Sequence, residues 1–170
     1  MKHSIITASG KGFARDGKDI VFNGIGLGSW LNMEHFMLGI PGTDRQIRRC
    51  FEIAFGKETS EAFFDDFVKC FVADEDFIFM KAHGINLVRV PFNYRLFIED
   101  STGEEKANGF RYLDYLMSLA DKYEIYVLPD LHAVPGGQNP DWHSDNGTGY
   151  TEFWDYEVFQ ETSYEKSIRN

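Results

Sequence analysis

The chain has 170 residues, enough for one domain with a sizeable core, and 43% of them are hydrophobic and 16% aromatic, which excludes a disordered protein. Its net charge of −10 and its pI of about 4.9 disfavour nucleic acid and anionic membrane surfaces as partners, because phosphate recognition needs clustered Lys and Arg. A neutral carbohydrate is compatible with this charge, and solubility alone explains it equally well.

Neither the N-terminus nor the cysteines indicate export. The first ten residues hold too few apolar side chains for a signal peptide, and no apolar run approaches the roughly 18 residues of a membrane span. We therefore expect a soluble chain that is not exported by the usual route, cytoplasmic or of unknown location, without a membrane partner. Cys50 and Cys70 lack CxxC or zinc-site spacing, so they are predicted to be buried free thiols, with a disulfide as the open alternative.

The N-terminal segment predicts a β-hairpin followed by a strand. Asp16-Gly17 is a strong two-residue turn signal, so residues 12–22 are predicted to form the hairpin. The glycine-interrupted apolar segment 21–28 is predicted to be the first strand of a parallel sheet. Its glycine spacing also suggests a dinucleotide-binding loop as a minor alternative, but that fingerprint needs a third glycine where Ser29 stands.

Helical spacing dominates the next part of the chain. Thr43-Asp44 caps a predicted helix that Gly56 ends. Thr59 or Ser60 would cap a second helix, in which five apolar residues recur at helical spacing: Phe63, Phe64, Phe67, Val68 and Phe71. A third helix is predicted over residues 75–83.

Two further strands alternate with a helix. Residues 85–91 form a predicted buried strand closed by its proline, and residues 125–131 form the next. The helix between them covers residues 110–123, with an apolar face made of Leu113, Leu116, Met117 and Ala120. This order predicts an α/β fold of parallel βα units with right-handed crossovers, and an open doubly wound sheet is the second choice.

Polar or aromatic residues follow each predicted strand. In parallel barrels the chemistry lies at the carboxyl ends of the strands, so these residues should share one face. The first strand offers Ser29, Trp30 and Glu34, and the second offers Arg89, Asn93 and Tyr94. The third offers Asp130, His132, Gln138, Asn139, Trp142, His143, Asp145 and Asn146.

Arg89 and His132 each allow a structural and a functional interpretation. Arg89 lies in an apolar strand, where an unpaired guanidinium would be costly. It either forms a salt bridge between strands or lowers the pKa of a catalytic carboxylate. His132 is either an ordinary rim histidine or a contact to a substrate or carboxylate. A metal site built from His132, His143, Asp141 and Asp145 fits no familiar spacing, so no metal site is predicted from these residues.

Trp142 and Glu34 are candidate sugar contacts. Trp142 stands in a polar loop, where an indole can stack on the apolar face of a pyranose. Glu34 either accepts hydrogen bonds from sugar hydroxyls or is a solvated charge. A catalytic pair of Glu34 and Asp130 is disfavoured, because Asp130 precedes the end of its strand.

Several segments, in order, resemble family 5 of the glycoside hydrolases, the cellulase and β-glucanase family, over residues 10–160. Residues 23–31 with Glu34 look like its first strand and its sugar-contacting glutamate. Residues 84–95 are similar to its second strand, with the family arginine at Arg89. Together these motifs are specific, whereas each alone would be weak.

The third strand and its loop continue the resemblance. Asp130-Leu131-His132 is similar to the family's third strand, with the family histidine at His132, and the loop 138–146 is similar to that of bacterial members. The resemblance implies a β-glucan or β-glucoside as the partner. It implies sugar binding by Glu34, Asn93, Gln138, Asn139, Trp142, His143, Asp145 and Asn146.

The family implies a (β/α)₈ barrel and retaining hydrolysis by two glutamates whose carboxyl groups lie about 5–5.5 Å apart. The acid/base follows the fourth strand in an Asn-Glu-Pro motif, and the nucleophile follows the seventh. This chain has no Asn-Glu-Pro, so residues 1–170 are expected to form the first three βα units of an incomplete catalytic barrel. Arg89 and His132 are then supporting residues, and no catalytic residue is assigned. The resemblance also implies that no metal and no organic cofactor is needed.

Two expectations follow for the isolated chain. It should be inactive, and its open strand edges should favour self-association. A non-catalytic carbohydrate-binding or scaffold protein is the alternative, and an aggregating by-product without a function of its own is the third possibility. The almost entirely polar residues 161–170 are predicted to be a divergent end.

Overall fold

The computed structural model describes residues 5–10, 12–100 and 102–168, with side chains as far as residue 164. Two three-stranded sheets make up its β structure. The first is antiparallel, in the order β1 (Ile6–Ser9), β2 (Gly12–Arg15) and β3 (Lys18–Ile20). The second is parallel, in the order β4 (Gly24–Gly26), β5 (Leu87–Asn93) and β6 (Tyr126–Ala133).

Helices connect the parallel strands and end the described chain. They are α1 (His35–Leu38), α2 (Asp44–Phe55), α3 (Lys57–Phe71), α4 (Asp74–Ala82), α5 (Arg111–Tyr123) and α6 (Glu157–Ile168). Short 3₁₀ turns cover Tyr94–Leu96, Trp142–Ser144 and Glu152–Trp154. The α/β class and the order of parallel strands and helices agree with the sequence, while the incomplete barrel stays a prediction. None of the helices in the described ranges is long and apolar enough to cross a bilayer.

The predicted hairpin is confirmed. Asp16 and Gly17 connect β2 to β3 with φ of 52° and 73°, the two positive values that a tight hairpin turn of this kind requires. The sequence reasoning missed β1, which pairs with β2 from Ile6 to Ser9. Its four residues are all exposed, so no alternation of buried and exposed positions marked it as a strand.

The sequence predicted the capping residue of α2 correctly and that of α3 incorrectly. Thr43 caps α2 as predicted: its side chain accepts from Gln46 N, and the Gln46 side chain accepts from Thr43 N in return. The prediction that Thr59 or Ser60 caps the next helix is wrong, because α3 begins at Lys57. Gly56, with φ of 84°, ends α2 and starts α3 in one residue, so no separate capping side chain is needed.

The second parallel strand does not close at its proline as predicted. Arg89 O accepts from Leu27 N, and Asn93 N donates to Leu31 O, so alternate residues of β5 face the segment after β4. Pro91 lies between them, opposite residues 28–30, which turn away from the sheet before Leu31 pairs with Phe92. Its missing N–H therefore costs no ladder bond, and β5 continues to Asn93.

The main core lies between the helices and one face of the parallel sheet. Leu116 and Ala120 of α5 are buried there, as predicted, together with Leu119. Met117 was placed on the same face, but it is 54% exposed. The buried face of α5 follows the 116–119–120 spacing, and Met117 lies one residue, about 100°, away from it.

The cysteines are free, but the prediction that they are buried is wrong, because both are exposed. The buried residues of α3 include Phe64 and Val68, and Cys70 lies two residues further, on the other side of the helix. On α2, Ile47 is buried and Cys50 lies at the border of that face. Ile47 and Phe64 join a second, smaller core between these two helices.

Candidate functional site

One face of the parallel sheet is covered by helices, and the other is open around Arg89 and Leu128. Val88 and Val90 are fully buried on the covered face. Arg89 and Leu128 are register partners on the opposite face, and they are exposed: 45% of the Arg89 side chain and 51% of Leu128 reach solvent. The apolar strand around Arg89 led us to expect a buried guanidinium, and that expectation fails because this face is uncovered.

Arg89, Asp130 and His132 form a connected group on the open face. Arg89 Nη2 donates to Asp130 Oδ2 in an ion pair that joins β5 to β6. The same Asp130 oxygen lies 2.9 Å from His132 Nδ1, and Arg89 Nη2 lies 3.2 Å from that nitrogen. Of the two interpretations of Arg89, the structure shows the salt bridge between strands, with Asp130 of the neighbouring strand as the partner. The role in a catalytic site stays a prediction.

The backbone explains why His132 points toward this group. Asp130 and His132 are two residues apart on β6, so their side chains leave the same face. Phe92 pairs with Leu131 and Asn93 pairs with Ala133, which makes His132 the extra residue of a β-bulge. Bulges bend a strand locally and re-aim a side chain, and they are frequent beside active sites.

Trp142 and His143 form an aromatic wall beside His132. The centroids of the His132 and His143 rings are 6.1 Å apart, and those of Trp142 and His143 are 5.0 Å apart. On its other side Trp142 meets His35 and Phe36 of α1 edge to face, at 4.5 and 5.3 Å. Trp142 is half-buried, so it is supported by neighbours and still reaches solvent.

Glu34 contributes an available carboxylate. Its backbone is fixed just before α1, because Glu34 N donates to Ser29 Oγ at 3.0 Å and Ser29 Oγ donates back to Glu34 O at 3.2 Å. Its carboxylate lies against Gly28, where a Cβ would come within 2.7 Å of Oε2. Among the residues that the structure describes, this carboxylate has neither a hydrogen-bond nor an ion-pair partner, so it can accept from a ligand.

Asp145 has a different place from the one that its loop suggested. Its side chain is fully buried and accepts hydrogen bonds from Asn93 Nδ2 and from Arg45 N, each at 2.8 Å. Arg95 donates to it as well, in a buried ion pair. This carboxylate therefore ties the loop to α2 and to the end of β5, and its acceptor sites are already in use.

Asn32 extends this network to the aromatic wall. Asn93 Nδ2 donates to Asn32 Oδ1 at 3.2 Å, and Asn32 Nδ2 donates to the backbone oxygen of His143 at 3.0 Å. Asn32 and Asn93 are both almost completely buried. The side-chain amides of Asn93 and Asn32 thus connect the His143 backbone to Asp145 and fix its position.

Charges around the buried carboxylates shift several pKa values. Burial raises the pKa of Asp44, and nearby Asp145 adds to the rise against the opposing Arg48 guanidinium. For Arg95, burial opposes the charge, but Asp145 and Asp100 outweigh it and raise the pKa. For Asp100, burial opposes ionisation, but hydrogen bonds from Tyr94 and Arg95 outweigh burial and lower the pKa.

Three further loop residues hold the loop itself. Gln138 Nε2 donates to His132 O at 2.5 Å. Asn139 Oδ1 accepts from Asp141 N at 2.9 Å. Asn146 Nδ2 donates to Asn139 O at 2.9 Å and to Tyr150 O at 2.7 Å. Their polar groups are largely occupied by backbone partners.

The predicted site residues therefore separate into two groups. In one group the side chain is available to a ligand, at the open face or, for Glu34, without a partner among the described residues. This group consists of Glu34, Arg89, His132, Trp142 and His143. The other is engaged in internal hydrogen bonds and consists of Asn93, Gln138, Asn139, Asp145 and Asn146. The sequence reasoning missed Asn32, His35, Phe36 and Arg95 and set Asp130 aside, although its spacing of two residues from His132 on a strand indicated a shared face. Across the described residues, no three His, Cys, Asp or Glu side chains are arranged to hold a metal ion.

Comparison with known proteins gives sequence relatives that are glycosidases. A β-xylosidase of Phanerodontia chrysosporium is 45% identical over 148 residues, covering 86% of this chain and 31% of the relative. A glucan 1,3-β-glucosidase of Schwanniomyces occidentalis is 29% identical over 139 residues, covering 76% of this chain and 33% of the relative. The chain spans about a third of the length of these relatives. No family model matches it.

A solved structure supports the fold. The rutinosidase of Aspergillus niger superposes with a TM-score of 0.65 over 85% of this chain and 41% of that protein, at 19% sequence identity. That identity carries the fold alone. Sequence and structure together relate most of this chain to one part of glycoside hydrolases, enzymes of carbohydrate degradation. They leave the assignment to family 5 a prediction.

Proposed function

We propose that this chain is the sugar-binding N-terminal part of a retaining β-glycoside hydrolase of family 5, acting on β-glucan or a related β-glycoside. The observation that carries the proposal is the group on the open face, in which Arg89, His132, Trp142 and His143 stand together. Its support is the 45% identity to a β-xylosidase and the similarity to glucan β-glucosidases. Those names share a β-linked sugar as substrate.

Each open-face residue has a role in this proposal. Trp142, half-buried and supported by Phe36, offers a platform for a pyranose ring. Glu34 accepts hydrogen bonds from sugar hydroxyls with its unpaired carboxylate. Arg89, from within β5, and His132, near the carboxyl end of β6, contact the ligand or a carboxylate. Asn93 and Asp145, named above as sugar ligands from the resemblance, instead hold the wall in position.

Calorimetric titration with β-linked disaccharides of glucose and of xylose tests the proposal. We expect Trp142→Ala to weaken binding roughly fivefold, about 1 kcal/mol for a lost aromatic contact. Phe79→Ala is the matched control, because Phe79 is 59% exposed on α4, which leads into the opposite end of β5. Equal binding by both variants, or no heat with any disaccharide, would refute the proposed site.

Hydrolysis by the isolated chain is expected to be absent. Retaining glycosidases need two carboxyl groups, and the candidates among the proposed site residues are Glu34 and Asp130. Asp130 is already engaged with Arg89 and His132, so it is poorly placed to act as an acid or a nucleophile. Release of a chromogenic aglycone that Arg89→Ala abolishes would contradict this expectation.

A non-catalytic carbohydrate-binding protein is the second candidate. It is favoured because the side chains available to a ligand are an indole, imidazoles and one carboxylate. These groups can bind a sugar, but they do not supply the two carboxyl groups that hydrolysis needs. It predicts that the chain alone retains disaccharide binding that Trp142→Ala weakens. Hydrolysis of the bound disaccharide after addition of a further barrel segment would favour the enzyme part over this candidate.

A further inference from the structure

Two aspartate–histidine pairs with the same spacing stand at the site. Asp130 precedes His132 by two residues on β6, and Asp141 precedes His143 by two residues in the loop. The carboxylate oxygen lies 2.9 Å from the histidine Nδ1 in the first pair and 3.8 Å in the second. The first distance is a hydrogen bond, and the second is too long for one.

The chemistry of the first pair determines which ring nitrogen carries the hydrogen. An ionised carboxylate oxygen accepts hydrogen bonds and has none to donate, so the nearby Nδ1 of His132 must be the donor. Arg89 Nη2 also lies 3.2 Å from Nδ1 and has a second hydrogen that it could donate there. An accepting Nδ1 would then set its lone pair against the Asp130 carboxylate at 2.9 Å, which is repulsive, so the shorter carboxylate contact favours Nδ1–H. Two donors thus converge on one acceptor, and the neutral imidazole keeps its lone pair on Nε2.

We propose that Asp130 is a positioning residue that holds His132 as the Nδ1–H tautomer and so presents Nε2 as a hydrogen-bond acceptor. Nε2 would accept a hydrogen bond from a sugar hydroxyl, and this choice of ligand rests on the proposed function. The bulge at His132 and the bond from Gln138 Nε2 to His132 O fix the backbone beneath the ring. Asp130 orients the ring in turn, which is the common role of a carboxylate beside a functional histidine.

The test is the tautomer of His132 in the full chain, read from long-range proton–nitrogen spectra of the histidine-labelled protein. The pH is set about two units above the value at which free histidine titrates. We expect the Nδ1–H form to exceed the other about tenfold, from a single charge-assisted hydrogen bond. A wild-type spectrum dominated by the Nε2–H form would overturn the proposal without any variant.

Asp130→Ala sharpens the test, because it is expected to reverse the preference. With the carboxylate gone, the Arg89 guanidinium is left as the neighbour of Nδ1, and it can only donate. His132 should then change to the Nε2–H form. Asp141→Ala is the matched control and should leave the His143 tautomer ratio unchanged, since its carboxylate is too far away. An unchanged His132 ratio in Asp130→Ala would contradict the proposal.

Titration of the same samples with cellobiose separates this proposal from the proposed function. We expect sugar to shift the His132 Nε2 signal of the wild type, and Asp130→Ala to bind about tenfold more weakly, the effect of one lost hydrogen bond. The expected tautomer without any sugar response would leave the positioning role intact and count against sugar binding. The opposite tautomer would overturn the positioning role whatever the sugar does.

Discussion

Asp145→Asn should destabilise the protein through the loss of one buried charge. The Asp145 side chain is inaccessible to solvent and receives Asn93 Nδ2, Arg45 N and the Arg95 guanidinium. An asparagine of the same shape keeps one oxygen as an acceptor and replaces the other by an NH₂ group. That group would face a donor, so at least one buried hydrogen bond is replaced by a repulsive contact.

The size of the loss follows from the surroundings. Removing one partner of a buried ion pair costs about 3–5 kcal/mol. Arg95 is 21% exposed and keeps its ion pair with Asp100, which lowers the cost of leaving it behind. We therefore expect about 2–3 kcal/mol, a large fraction of the roughly 5–15 kcal/mol that stabilises a typical domain.

Urea denaturation measures this loss. With a slope of about 2 kcal/mol per M, the midpoint of Asp145→Asn should fall by about 1–1.5 M. Asp121→Asn is the control, because Asp121 is an exposed carboxylate on α5 and its loss should change the free energy of unfolding by less than about 0.5 kcal/mol. Faster amide exchange in the loop 139–149 should accompany the lower midpoint. If both variants unfold at the wild-type midpoint, Asp145 does not hold the loop as argued here.

Three other perturbations test separate parts of the structure. The pKa of Asp100 is lowered in the fold, so the stability that its carboxylate adds is present above the unfolded pKa of about 3.9 and is lost as the pH falls below it. Asp100→Asn and the wild type should therefore differ in urea midpoint at pH 7 and converge in acid. Gly136→Ala should cost about 1–3 kcal/mol more than Gly149→Ala, since both have positive φ but a Cβ at Gly136 would lie 2.6 Å from the Phe159 ring; equal thermal shifts would contradict this. Leu128→Lys should reduce self-association in sedimentation velocity, because it charges an exposed edge strand, and a wild type that stays monomeric at high concentration would refute the open-edge argument.

The fold could be predicted from the sequence where local signals and burial agree. The Asp16-Gly17 turn and the Thr43 cap each combine a favoured residue with the expected position. The prediction was wrong at Pro91, because this proline lies opposite the segment after β4 that turns away from the sheet. That segment is distant in sequence from Pro91. A strand's tolerance of proline depends on what faces its missing N–H, and one sequence segment does not contain that information.

The site was predicted less completely, because polarity alone does not distinguish a ligand contact from a structural bond. Trp142 and Asp145 are three residues apart in the same polar loop, and one is half-exposed while the other is buried. The difference comes from Arg95 and Arg45, which lie about 50 and 100 residues away in sequence and meet Asp145 through the fold. Such long-range pairing leaves no local pattern to detect.

The open face explains why Arg89 can serve a site from the middle of a strand. Gly26, Arg89 and Leu128 are register partners, so they form one row across β4, β5 and β6. Gly26 brings no side chain to the row, and a Cβ there would meet nothing within 4 Å, which leaves room beside the guanidinium. Arg89 can therefore extend toward Asp130, one step nearer the carboxyl end, rather than across the sheet. In the barrel proposed above, this face of the sheet would line the interior, where side chains from alternate strands stack in layers. Arg89 and Asp130 would then lie beneath the sugar site, on neighbouring strands.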